Sequence, residues 1–241
     1  MSEAKEQCAI LEEADEHTFI RFSQYAYTSD YETPEPQIPL DSSSTAIHES
    51  NPAELPLANS MLTESESQPD PSVANLWAAP IEKKKKGQIL DSKRLQSWNK
   101  FKSKSYGRSF GSSQQIHFAR KNRTSSEDYT EVFLCHARLY VFADKYHIGA
   151  LKLFALYKLY CTLVEFNLYD ERTEDVISLI GYACSNTADI PERIDELRDL
   201  LAQYSACVVE KLAGSANFSL LVEEPGPFAK DLFRQLFKRL D

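Results

Sequence analysis

Apolar side chains are clustered at two separate places along the chain, and each cluster follows helical spacing. The first predicts one amphipathic helix, with Asp15 as its N-cap and its end near Ser29 and Asp30. Its apolar positions are Phe19, Phe22, Ala26 and Tyr27. Residues 9–11, just before it, are apolar and predict a short strand. One such helix cannot bury its own apolar stripe, so it is expected to pack against another part of the chain.

The second cluster predicts five helices towards the C-terminus. Two of them, at 132–146 and 148–166, are apolar on most sides, which is typical of central helices. Three more, at 173–185, 194–212 and 228–240, are apolar on one side only, which indicates outer helices. The fold class predicted from this pattern is mainly α.

Between the two clusters, residues 32–130 hold few apolar side chains and eight of the eleven prolines. A stretch with so little surface to bury does not offset the entropy that its backbone loses on ordering. We therefore predict a disordered, low-complexity insert at 32–130, with foldable parts at 1–31 and 131–241.

Charge is distributed unevenly and marks a basic arm within the insert. The chain carries a net charge of -9. Residues 81–123, however, contain thirteen Lys and Arg against only Glu82 and Asp91, so the rest of the chain is strongly acidic. We therefore expect no nucleic-acid-binding surface on the folded part, and any contact with a polyanion is confined to the arm.

Three interpretations of the arm at 81–123 remain open from the sequence. The run Lys83, Lys84, Lys85 and Lys86 is typical of a nuclear-import signal. Further along, aromatic residues alternate with basic ones, a mixture that can stack on bases while contacting phosphates: Trp98, Phe101, Tyr106 and Phe110. The third interpretation is a solvated tether that has no partner.

The sequence carries no pattern typical of catalysis, metal binding or a cofactor site. The seven glycines form no phosphate-binding loop, and no Cys or Ser lies in a known nucleophile motif. Cys135, His136 and His147 are the cluster most worth testing for a metal, but they lack the paired short spacing of zinc ligands. We therefore expect no enzymatic activity, no catalytic residue, no metal and no cofactor.

Cysteine usage and hydropathy indicate an intracellular protein of the nucleus or the cytoplasm. The cysteines are odd in number and far apart, which favours buried thiols in a reducing compartment: Cys8, Cys135, Cys161, Cys184 and Cys207. The first ten residues are polar and mixed in charge, unlike a signal peptide. Lys152, Lys158 and Glu165 interrupt the most apolar region, at 148–169, so no membrane span is expected.

Two separated stretches carry motifs that resemble one known family. Residues 9–31 end in AYTSDY, and residues 135–166 contain ADKYHIGAL. Both resemble BTB (POZ) domains, in which a helix ends in a Tyr-Thr-Gly-Asp-Tyr-like turn and a later helix carries an ADKY pattern. The chain looks most like the BTB proteins of filamentous fungi, in which a Ser- and Lys-rich insert separates the two stretches. The matching positions are Tyr27, Asp30, Tyr31, Ala143, Asp144, Lys145, Tyr146, Ile148 and Leu151.

The sequence departs from the family pattern at both turns. His147 takes the place of the glycine that usually follows ADKY, and a histidine at positive φ is expected to be strained by roughly 1 kcal/mol. Ser29 replaces the glycine of the other turn, which costs little if it keeps a negative φ. The family's first strands and helix, which supply most of its sheet and its dimer surface, have no counterpart here. The resemblance thus implies a helical BTB-like remnant, and homodimerisation is not expected.

By this resemblance, the chain is expected to be a non-enzymatic protein–protein interaction module, with a role as substrate adaptor of a cullin-based ubiquitin ligase. Its partners would be a cullin scaffold or another BTB protein. The resemblance places the contact on the exposed faces of 148–170, with these candidate residues: Phe154, Tyr157, Tyr160, Phe166 and Tyr169. The alternative, that these side chains belong to the core, stays open. Two alternatives also remain, a nuclear, nucleic-acid-associated factor acting through 81–123 and a truncated remnant without activity.

Overall fold

The computed structural model describes residues 15–38, 83–104, 106, 117–190, 193–223 and 226–240. Their α-helices are α1 (Glu16–Thr28), α2 (Lys83–Lys102), α3 (Thr130–Lys145), α4 (Gly149–Glu165), α5 (Thr173–Asn186), α6 (Glu196–Leu212), α7 (Ala216–Glu223) and α8 (Pro227–Leu240). The prediction of a mainly α fold is confirmed. The predicted strand at 9–11 lies outside the described residues.

The first helix, α1, begins and ends where its capping residues predict. The Asp15 carboxylate accepts hydrogen bonds from the backbone N–H of Thr18 at 2.9 Å and from its hydroxyl at 2.6 Å. At the other end Ser29 turns left-handed, with φ of 60°, and its N–H donates to the carbonyl of Tyr25 at 2.8 Å. These two caps satisfy backbone groups that the ends of an isolated helix leave without partners.

The buried face of α1 differs from the predicted stripe. Phe22 packs against Phe142 of α3, with ring centroids 5.1 Å apart, and Tyr25 packs against Phe154 of α4 at 5.7 Å. Tyr27, which was assigned to the stripe, is 91% exposed. The stripe was misassigned because helical spacing alone does not distinguish Tyr25 from its neighbour Tyr27 as the inward residue.

The two helices predicted to be central, α3 and α4, lie at the middle of the core. Their inward residues are almost fully enclosed: Phe133, Ala137, Leu139 and Tyr140 from α3, and Leu151, Ala155, Leu159 and Leu163 from α4. Of the outer helices, α5 packs against α3 and α6 against α4, whereas α8 packs mainly against α6. Each buries one face, as with Val176 and Ile180 of α5 and Leu197 and Leu201 of α6.

Near the C-terminus the structure corrects the prediction in two ways. The short helix α7 was not predicted, because its apolar run lies within a connection between two periodic segments. In α8 the predicted apolar stripe is only partly buried. Phe228 and Leu232 are buried, whereas Phe233 and Phe237, one turn apart, are 50% and 65% exposed.

The range 32–130, predicted to be disordered, contains ordered segments. Within it lies α2, whose residue Phe101 is 2% exposed and whose Trp98 stacks on that ring at 5.6 Å. Asn122 is also buried, and its side-chain amide donates to the carbonyl of Asn167 at 2.8 Å. The prediction was wrong for these segments because a few well-placed apolar groups suffice when a preformed body supplies the opposite surface. Much of the range, including 39–82, lies outside the described residues.

A short pairing of extended backbone brings the two margins of this range together. The N–H of Gln37 donates to the carbonyl of Asp128 at 3.1 Å, and the N–H of Asp128 donates back at 2.7 Å. The segment that follows α1 and the segment that precedes α3 are therefore joined to each other at one point.

Candidate functional site

A buried polar cluster joins the segment that follows α1 to the central helices. The phenol of Tyr31 is hydrogen-bonded to Nδ1 of His136 in α3 at 2.7 Å. The Lys158 ammonium of α4 donates to the carboxylate of Asp30 and to the carbonyl of Tyr31. It also lies 4.1 Å from the centre of the Tyr31 ring, a cation–π distance. The turn at the end of α1 is thus fastened to both central helices.

The electrostatics of this cluster keep its imidazoles neutral. Burial holds the pKa of His136 well below its ordinary value, and the nearby Lys158 charge lowers it further. Burial likewise lowers the pKa of His117 to about 4. A neutral His136 can accept a hydrogen bond from the Tyr31 hydroxyl through Nδ1, and its Nε2 faces the Thr162 hydroxyl at 3.5 Å. The cluster therefore serves to hold two segments together.

The ADKY residues form the last turn of α3 and its C-cap, just before the connection to α4. Ala143 and Leu151 are buried in the core, while Asp144 on the surface forms an ion pair with Lys152 at 2.6 Å. The N–H of Ile148 donates to the carbonyl of Ala143 at 2.8 Å, which closes the end of α3. This turn orients α4 against α3.

Both positions that depart from the family's glycines have left-handed backbone. Ser29 has φ of 60° and His147 has φ of 56°, and among the described residues no other non-glycine position has a positive φ. The strain expected at His147 is therefore present, with no shift of the turn. Ser29 does not keep a negative φ, because the cap of α1 has a left-handed residue at that point, so the condition for a low cost of this replacement is not met.

Of the five predicted interaction residues, three face the core. Phe154, Tyr160 and Phe166 are buried, so they are not available to contact a partner on the surface of this chain. Phe154 packs against the rings of α1, and Tyr160 donates its hydroxyl to the carbonyl of Lys102 at 2.7 Å, at the end of α2. The pattern of α4 is apolar on most sides and did not indicate which side faces solvent.

The other two, Tyr157 and Tyr169, keep part of their surface exposed. Tyr157 belongs to an apolar stripe on the outer side of α4, which is continued at helical spacing by Leu153, Cys161 and Val164. Leu153 is 37% exposed, and the other members of the stripe are partly exposed. The α4 stripe is therefore the part of 148–170 where an apolar side chain of a partner could be buried.

A groove of about 530 Å³ runs beside the α4 stripe. The stripe forms one wall through Tyr157, Cys161 and Val164, and residues 102–104 and 117–119 form the other. Phe118, on this second wall, is 86% exposed, a costly arrangement for a large aromatic side chain in water. An exposed aromatic residue beside an apolar stripe is typical of a protein-binding surface.

Sequence reasoning missed a second groove, of about 430 Å³, between α2 and α6. Trp98 and Tyr204 face each other across it with ring centroids 6.1 Å apart, and Arg94 and Lys211 also line it. Val208, in its wall, departs from helical geometry with φ of -119° and ψ of 16°, so α6 is kinked there. No signal indicated this groove, because the segment that forms α2 was predicted to be disordered.

The basic arm is partly a packed helix, which corrects one of its interpretations. Phe101 is buried, Trp98 stacks on it, and Tyr106 packs against Tyr160 at 5.1 Å. These aromatic rings contact the protein itself, so they do not form a free platform for bases. The run Lys83, Lys84, Lys85 and Lys86 lies in the first turns of α2, and the side chains of that run and the whole of Phe110 lie outside the described residues.

The structure adds information on metals and thiols for the part of the chain that it describes. No group of three or more His, Cys, Asp or Glu is arranged to hold a metal ion there. Burial raises the pKa of Cys135 to about 12 and that of Cys184 and Cys207 to about 11, so these thiols stay protonated near neutral pH. None of the described helices is long and apolar enough to cross a membrane.

Comparison with protein-family models found no match, and neither did comparison with curated proteins or with solved structures. The fold class rests on the structure itself. The likeness to BTB domains stays a prediction, which is based on the two sequence motifs.

Proposed function

We propose that this protein is a non-enzymatic protein–protein interaction module of the BTB type. The observation that carries the functional part of the proposal is the α4 stripe, an apolar helix face left partly exposed beside a groove and the 86% exposed Phe118. Apolar side chains in such a position gain free energy when a partner covers them. The expected activity is association without chemistry.

Two features of the described residues support the assignment to the BTB type. The turns that match the family motifs both adopt left-handed backbone where the family carries glycine, at Ser29 and His147. The segment containing the first motif is fastened to the helices containing the second through Tyr31 and Lys158. The residues of the two motifs, which are far apart in sequence, therefore lie in one folded unit.

The specific partner we propose is the N-terminal domain of a cullin scaffold, for which this chain would be a substrate adaptor. In BTB proteins the helices after the ADKY pattern contact the cullin, and here α4 is the helix in that place. A partner helix that lies along the α4 stripe would bury the side chains of that stripe. Tyr157 is the aromatic residue suited to act as the anchor.

Leu153→Asp tests this proposal at the α4 stripe. A charge introduced there would be buried without a partner in the complex, so we expect affinity for a purified cullin N-terminal domain to fall by about tenfold or more. Isothermal titration calorimetry measures the affinity. Leu220→Asp is the matched control, because Leu220 is 57% exposed on α7 and the same substitution there is expected to leave binding unchanged.

Two outcomes would overturn the cullin proposal. One is that the unmodified protein fails to bind the cullin domain at protein concentrations in the tens of micromolar range. The other is that both variants bind as tightly as the unmodified protein, which would place the contact elsewhere. Far-ultraviolet circular dichroism of each variant establishes that a loss of affinity is not a loss of helix.

A further inference from the structure

A small cationic pocket of about 120 Å³ lies where α2, α6 and α8 meet. Lys100 and Lys104, at the end of α2 and just after it, border it on one side, and Lys238 of α8 borders it on the other. Arg239 and the hydroxyl-bearing Ser97 also line it. This concentration of positive charge is unusual in a chain whose net charge is -9.

The acidic groups near the pocket are held by other partners. Asp199 accepts hydrogen bonds from the side-chain amides of Gln203 at 2.6 Å and Gln235 at 2.8 Å. Glu210 is paired with Arg239, which also donates to a backbone carbonyl of α6. Both carboxylates therefore form their direct hydrogen bonds with groups other than the three lysines, although the charge of Asp199 still acts on Lys104.

The three lysine ammonium groups are without a carboxylate partner in the part of the chain that the structure describes. Lys104 donates to the neutral side-chain oxygen of Gln203, and Lys238 donates to that of Gln235 at 3.4 Å. Amide oxygens satisfy a hydrogen bond without neutralising the charge. The pocket therefore keeps an excess of positive charge, because Lys100, Lys104, Lys238 and Arg239 outnumber the carboxylates of Asp199 and Glu210.

This arrangement disfavours the charged form of Lys104. Burial lowers the pKa of Lys104 below its ordinary value, and the nearby Lys238 and Lys100 charges lower it further, while Asp199 opposes them. Like charges gathered at a partly buried place cost free energy unless a counter-ion joins them. An anion in the pocket would relieve this cost.

We propose that the pocket between α2, α6 and α8 binds a phosphate dianion, either free or as a phosphate monoester. Several lysines converging on one small site suit a compact, multiply charged group, which they bind as point charges. A carboxylate carries a single charge and would leave part of the excess uncompensated. The hydroxyl of Ser97 adds a donor for a phosphate oxygen.

Titration calorimetry with inorganic phosphate, at an ionic strength held constant with chloride, tests this site. We expect the unmodified protein to bind, and Lys104→Gln and Lys238→Gln each to lose affinity by about tenfold, because each removes one charge-assisted hydrogen bond. Lys230→Gln is the matched control, since Lys230 is exposed on the same helix as Lys238 and does not line the pocket. Its affinity is expected to equal that of the unmodified protein.

A second titration, with O-phosphoserine and with serine, distinguishes the two sources of the phosphate group. Binding of both O-phosphoserine and inorganic phosphate supports a site open to a phosphorylated side chain. Binding of inorganic phosphate alone supports a site for the free ion. The proposal fails if neither ligand binds, if serine binds equally well, or if Lys104→Gln and Lys238→Gln bind phosphate as the control does.

Discussion

His147 and Ser29 hold the chain in left-handed turns although neither is glycine. A β-carbon makes this conformation unfavourable, so both residues are maintained against a local cost by the packing of the segments that each turn connects. At His147 the neighbouring bond from Ile148 N–H to Ala143 carbonyl, at 2.8 Å, requires that backbone path. At each of these two turns, the residue present therefore makes the fold less stable than glycine would.

His147→Gly is expected to raise the free energy of unfolding by about 1 kcal/mol, because glycine adopts a positive φ without strain. Urea denaturation followed by circular dichroism measures the change. The same substitution at His17, which is exposed within α1, is the matched control. At His17 glycine weakens the helix, so we expect the free energy of unfolding to decrease by about 0.5 kcal/mol. Equal changes of the same sign at both positions would contradict the strain argument.

At the scale of elements, α2 is held by its last turn. Phe101 inserts between Tyr160 of α4 and Tyr204 of α6, at ring distances of 5.4 and 5.8 Å. The hydroxyl of Tyr160 donates to the carbonyls of Phe101 and Lys102, which closes the C-terminal end of the helix. Most of the length of α2 depends on this anchor, because its other side chains are largely polar.

Phe101→Ala is expected to detach α2 from the body. Removing a buried phenylalanine costs about 3 to 5 kcal/mol, which exceeds what a polar helix gains by itself. Hydrogen exchange followed by mass spectrometry should show faster exchange throughout 93–104, with α3 and α4 still protected. Leu95→Ala is the control, since Leu95 is 60% exposed on the same helix and should leave exchange unchanged. Unaltered protection of α2 in Phe101→Ala would contradict this account.

The elements also show how far the sequence could predict the structure. Helical periodicity located α1, α3, α4, α5, α6 and α8, and the cap at Asp15 located the start of α1. It could not find α2, whose packing depends on Trp98 and Phe101 meeting rings distant in sequence. Nor could it orient α4, where buried Phe154 and partly exposed Leu153 are neighbours with the same apolar character. Which side of such a helix is covered depends on tertiary packing.

At the scale of the whole molecule, the N-terminal segment and the C-terminal helices form one unit. Phe22 meets Phe142, Tyr31 reaches His136, and Lys158 joins Asp30, so contacts of three kinds cross between them. The ion pair is largely enclosed on the lysine side, which is 3% exposed. We therefore expect the two parts to stay associated without the peptide chain between them.

A single cut between 51 and 70, at an introduced protease site, is expected to leave the two fragments together. Size-exclusion chromatography should show them co-eluting. Lys158→Met removes the two bonds to Asp30 and Tyr31, worth about 1.5 to 3 kcal/mol for bonds to a charged group, and should allow the N-terminal fragment to separate. Lys230→Met, at an exposed lysine, should not. If the unmodified fragments separate after the cut, the two parts are not one unit.

The stretch 39–82 joins two parts of the chain that are both attached to the helical body, Gln37 through its pairing with Asp128 and α2 through Phe101. Insertions or deletions between these two points should therefore change mainly the entropy of closing the connection. Each doubling of such a loop costs only about 0.6 kcal/mol. Relatives of this protein can therefore differ greatly in length here while keeping the same helices, and an added peptide or whole domain should be tolerated at this place.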